Sequence, residues 1–145
     1  MACLKNAHYK SSAQTYNATA QALTTVATPL SLGSIITDTG ISLTPSSAGI
    51  TVNKSGLYRI SADITITSTA AGIINIQAYI NGTARPETLI AVTVPAAGIT
   101  VIHLETVAYI SACCAMNPVI TIVGNTTGTA AGSVALLAVN VVKEA

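Results

Sequence analysis

Between Leu57 and Thr67 apolar and polar side chains alternate without a break. Tyr58, Ile60, Ala62, Ile64 and Ile66 fall on one side, and Leu57, Arg59, Ser61, Asp63, Thr65 and Thr67 on the other. A period of two is the mark of a half-buried strand. The run opens from the turn "NKSG" at 53–56, where Gly56 ends the turn and Tyr58 commits the chain to the core. Shorter patterns precede it, "SLGSIITD", "ISLTP" and "GITVN". Others follow: "GIINIQAYI" at 72–80, "ARPETLIAVTV" at 84–94, "ITVIHLETVAYI" at 99–110, "NPVITIVGN" at 117–125 and "SVALLAVNVV" at 133–142. Asn81-Gly82 between two of these runs is a strong two-residue hairpin signal. About eight strands at short spacing, with no convincing helix between them, predict an antiparallel sandwich or barrel.

The first thirty residues read differently. They are polar and short-chained, with Lys5 and Lys10 as their charged groups and a weak helical period at Tyr16, Ala20 and Leu23. We expect residues 1–30 to be an arm that orders only against a partner, with Leu4, Tyr9, Tyr16 and Leu23 as its anchoring side chains, and residues 31–145 to form the folded domain. The last strand reads as apolar on both faces. Val134, Leu136 and Ala138 lie on one, and Ala135, Leu137, Val139 and Val141 on the other. A strand covered on both sides in a two-sheet protein calls for a neighbouring subunit.

Composition narrows the function. Of 145 residues, 50% are hydrophobic and 8% charged, with a formal net charge of +1. This excludes the clustered basic charge that binding to nucleic acid or to an anionic membrane surface requires. There is no Trp and no Phe, so the core must be built from Ile, Val, Leu, Ala and a few Tyr, side chains suited to layered sheets. No apolar run is long enough for a membrane helix, and the opening "MACLKNAHYK" does not read as a secretory signal. Cys3, Cys113 and Cys114 make no disulfide framework, and with His8 and His103 they make no zinc site. Asn17-Ala-Thr, Asn81-Gly-Thr and Asn125-Thr-Thr match the glycosylation pattern, as chance allows in a Thr-rich chain.

"GITVNKSGLYRISADITI" resembles the central motif of the tumour necrosis factor and complement globular-head superfamily, in which Gly-Leu/Ile-Tyr opens a long core strand. The likeness continues through "YINGT" and the terminal "GSVALLAVNVV", over roughly residues 31–142. It implies an all-β, antiparallel two-sheet jelly roll that assembles as a homotrimer, with the first and last strands near the three-fold axis. On that resemblance Tyr58, His103, Tyr109, Leu137, Val139 and Val141 are the expected trimer-interface residues. The chain departs from the pattern in having few aromatics, in "SACCAMNP" where Gly-Asp is common, and in lacking a collagen-like stalk. These departures make it more similar to bacteriophage head-fibre or capsid-decoration proteins, structural components of the virion made in the bacterial cytoplasm. The arm would then bind a capsid or other virion protein. A receptor- or glycan-binding tip using loops 68–72, 83–88 and 125–132, or a spore or cell-surface trimer, is the alternative.

Candidate chemistry is sparse. His103 and Glu105 share a strand face with Val101 and Val107, so His103 is either a hydrogen-bonded strand residue or, in three copies about an axis, a ligand for a metal or anion. Arg59 and Asp63 flank Ser61, and pair across subunits or point to water. No nucleophile elbow, paired-carboxylate cleft or phosphate-cradling glycine loop is present, so the expectation is a protein that is not an enzyme and carries no cofactor.

Overall fold

The structure, a computed structural model, describes residues 10–112 and 117–145. Leu4, Tyr9, Cys3, Cys113 and Cys114 lie outside the described residues. In chain order the strands are β1 (Ser12–Asn17), β2 (Gln21–Ala22), β3 (Thr28–Pro29), β4 (Ser34–Thr39), β5 (Leu43–Ser46), β6 (Gly49–Val52) and β7 (Gly56–Ala70). They continue with β8 (Gly72–Ile80), β9 (Thr83–Ala84), β10 (Ile90–Val94), β11 (Gly98–Ile110), β12 (Val119–Thr127) and β13 (Ala131–Lys143), with a 3₁₀ turn at Pro86–Thr88. Among the described residues no helix is long and apolar enough to cross a membrane.

The strands form two antiparallel sheets. One has the order β11-β7-β13-β1-β4, with β2 added against β13. The other runs β10-β8-β12-β6-β5, with β3 and β9 added against β12 and β8. The chain crosses between sheets after β2, β3, β4, β6, β7, β10, β11 and β12, which makes the sandwich a jelly roll. The hydrophobic faces meet between the sheets. Tyr58, Ile60, Ala62, Ile64 and Ile66 of β7 are at most 1% exposed, against Ile74 and Ile76 of β8 and Ile120 and Ile122 of β12 in one core. The alternation read from the sequence is thus the inward face of β7. Asn81 and Gly82 both take positive φ, 52° and 76°, and form the tight turn joining β8 to β9.

Three expectations are corrected. First, residue 30 is not a boundary: β1 lies between β13 and β4 inside the six-stranded sheet. Leu23 is buried in the core, donating its backbone N–H to Gly132 O at 3.0 Å, and Leu30 and Leu32 are buried as well. The anchoring role given to Leu23 therefore falls. Strand β1 has no clear signature in the sequence because its inward positions are Ala13 and Thr15, which are small or polar and carry little hydropathy signal. Tyr16 is on its outward face, 41% exposed.

Second, β13 does not keep one phase. Its register against β7 shifts between Val134 and Leu136, so that Val134, Leu137, Val139 and Val141 all face the core. A bulge adds one residue and swaps the faces of everything beyond it. Third, Tyr58, Leu137, Val139 and Val141 cannot be interface residues, because each is 0% exposed within a single protomer. Tyr58 instead fills the core and donates its hydroxyl to Lys54 O at 2.6 Å. The second sheet is what covers these side chains, with no subunit required.

Candidate self-association face

The outward face of the six-stranded sheet carries what the core does not use. On β11 the outward positions are Ile99, Val101, His103, Glu105, Val107 and Tyr109. Ile99, Val101 and Tyr109 are 72%, 70% and 68% exposed, and Val107 is 44% exposed. Strand β11 is also an edge of its sheet, paired with β7 on one side alone. Large apolar side chains on an edge strand are a ready surface for association unless charge or a covering segment blunts them.

Charge does sit among them, and it is ordered. The register pairs His103 with Asp63 and places Glu105 opposite Ser61 and Val107 opposite Arg59. His103 Nδ1 lies 2.7 Å from Asp63 Oδ1, and its Nε2 lies 3.5 Å from Glu105 Oε2. Arg59 donates from Nη1 to Glu105 Oε1 at 2.6 Å and from Nε to Glu144 Oε1 at 2.8 Å. The hydrogen bond to Asp63, then that to Glu105, holds the imidazole above its ordinary pKa, and the Arg59 guanidinium lowers that of Glu105. Arg59 and Asp63, which flank Ser61 in sequence, therefore pair with other groups, Arg59 with Glu105 and Glu144 and Asp63 with His103, rather than with each other.

Five charged or titratable groups from β7, β11 and the C-terminal residues thus form one chain of ion pairs, with Ile99 and Val101 on one side and Val107 and Tyr109 on the other. The face continues over β13 and β1 through Ala138, Asn140 and Val142, opposite Tyr16, Gln14 and Ser12. Beyond them β4 forms the other edge, with Ile35 and Ile36 exposed, and Ile41 just after it. Of the expected interface residues, His103 and Tyr109 belong to this face. Ile99, Val101 and Tyr16 belong to it too. Ile99 and Val101 were legible in the sequence as the outward partners of His103 in a period-two strand.

Both ring nitrogens of His103 face carboxylates, and among the described residues no group of three or more His, Cys, Asp or Glu side chains is placed to hold a metal ion. The loops considered for a glycan tip do not cluster. The β7–β8 and β12–β13 connections share one end of the sandwich, since Ile73 pairs with Thr127. Residues 83–88 follow Ile80 at the opposite end.

Two antiparallel sheets in this order, with the Gly-Leu-Tyr strand at the centre of the core, are a jelly roll of the tumour necrosis factor type. No protein-family model and no curated protein sequence matches the chain. Solved structures share its fold. PRD1 vertex protein P5 superposes with a TM-score of 0.65 at 18% identity, over 92% of this chain and 72% of that one. Eiger, a tumour necrosis factor from S. frugiperda, gives 0.71 at 11% identity, over 95% and 94%. Murine APRIL at pH 5.0 gives 0.65 at 11% identity, over 92% and 98%.

Proposed function

We propose that the protein is a structural component of a bacteriophage particle, a homotrimeric head fibre or capsid decoration whose activity is binding alone. The fold likeness to a phage vertex protein supports a role in the virion. The observation that carries self-association is the exposed apolar and ion-paired outward face of the six-stranded sheet. A closed three-fold assembly needs two different, complementary patches on each copy. The two edges of this sheet supply them, Ile99, Val101, Val107 and Tyr109 on β11, and Ile35 and Ile36 on β4. Each apolar square ångström covered contributes about 25 cal/mol.

The segment ahead of β1, with Leu4 and Tyr9, takes the anchoring role that the first thirty residues were expected to fill, and docks on a capsid or other virion protein. Three linked copies give it avidity. Light scattering of the purified chain tests the assembly: a trimer at micromolar concentration is expected, and a monomer overturns the reading. Electron microscopy of particles bearing the chain without residues 1–9 tests the anchor. Decoration should be lost while the trimer survives in solution, and decoration that persists overturns the anchoring role.

A further inference from the structure

We propose that proton binding at His103 controls self-association through the outward face of the six-stranded sheet, with assembly favoured at acidic to neutral pH and loosened at alkaline pH. This rests on that face being where copies meet. The geometry is what carries it. His103 and Glu105 stand between the two apolar pairs of β11, so any partner that covers Ile99 and Val101 together with Val107 and Tyr109 also covers the imidazole. The groups facing the ring are Asp63 from β7 and Glu105 from its own strand. Arg59 joins through Glu105, and Glu144 through Arg59. Strand β13 contributes Ala138 and Asn140 opposite Asp63 and Ser61, neither of them titratable.

The charge count sets the sign. With the imidazolium formed, two cations, Arg59 and His103, face three carboxylates, Asp63, Glu105 and Glu144. With the ring neutral, Arg59 alone faces the same three, and both Asp63 and the second oxygen of Glu105 lose a charged donor. In water the difference is small, since exposed charges are well solvated. Closing a partner over the cluster removes that water, and carboxylates without a matching cation become expensive to bury. The assembled form therefore binds the His103 proton more tightly than the free protomer does. By linkage, association weakens as pH rises through the range where histidine titrates. Burial adds to the preference the protomer already has, because Asp63 and Glu105 hold the ring's pKa above its ordinary value.

Sedimentation equilibrium of the full chain at about pH 6 and about pH 8.5, at constant ionic strength, tests this. Weaker association at the higher pH is expected, on the order of tenfold for each copy whose His103 gains one pKa unit on assembly. In His103→Gln the two curves should coincide. His103→Lys, which keeps its charge across the range, should stay assembled at the higher pH. Asp63→Asn should move the midpoint to lower pH. A wild-type trimer of equal affinity at both values overturns the proton switch and leaves the trimer reading standing. A pH dependence retained in His103→Gln overturns the assignment to this residue. A monomer at both values removes the switch together with the reading it rests on.

Discussion

Gly56 shows how one residue is set by a contact far along the chain. Its φ is unexceptional, so backbone freedom is not the reason for a glycine. A Cβ there would meet Ala145 O at 2.5 Å and Lys143 Cε at 2.7 Å, because the C-terminal residues run over the start of β7. Leu57 N donates to Ala145 O, and Glu144 N to Leu57 O, at 2.9 and 2.7 Å. Gly56→Ala should destabilise the protein by about 1–3 kcal/mol in urea unfolding, and removing residues 144 and 145 should relieve most of the clash. Thr15 is the converse case. Its hydroxyl is buried inside β1 without a hydrogen-bond partner among the described residues. Thr15→Val should raise stability by about 1 kcal/mol, since the desolvation penalty goes and the shape stays. A lower midpoint would show that the hydroxyl is satisfied after all.

At the scale of elements, the first thirty residues and β13 carry the lesson. Leu23 and Tyr16 look equivalent in the sequence, yet Leu23 packs against Gly124 under the end of the sandwich and Tyr16 looks outward. Leu23→Ala should therefore lower the thermal midpoint through a loss of about 2–5 kcal/mol. Tyr16→Ala should change protomer stability by no more than about 0.5 kcal/mol. Equal effects would mean that residues 12–30 are not part of the folded sandwich. Long alternating runs such as β7 and β11 were legible because each side chain reports its face directly. Strand β1 was not, since a central strand can be lined by Ala and Thr when its neighbours supply the bulk. The bulge in β13 was not legible either, for "SVALLAVNVV" is apolar in every phase and hides a one-residue slip.

For the whole molecule, the separation of core from surface decides which mutations unfold it and which leave the fold intact while altering the exposed face. Val101→Asp and Tyr109→Asp place a carboxylate on the exposed face of β11 without touching the core. Each should weaken self-association by about a hundredfold or more while the urea midpoint of the monomer stays put, as sedimentation and circular dichroism together would show. Leu137→Ala should do the reverse, destabilising the protomer by about 2–5 kcal/mol. A variant of Val101 that unfolds the chain would place that side chain in the core and remove the proposed face.

From its residues alone this chain determines an all-β sandwich with Tyr58, Ile60, Ile64 and Ile66 inside and the Asn81-Gly82 turn at a hairpin tip, because period-two alternation and positive-φ turns are local physics. The tertiary structure alone decided that Leu137, Val139 and Val141 meet the second sheet rather than a neighbour, and that β1 lies inside the fold. It also brought Arg59, Asp63, His103, Glu105 and Glu144 into one cluster on the exposed face. Register, bulges and cross-strand neighbours arise from pairings between residues as far apart along the chain as Ser12 and Val142, and no pattern along the chain encodes them.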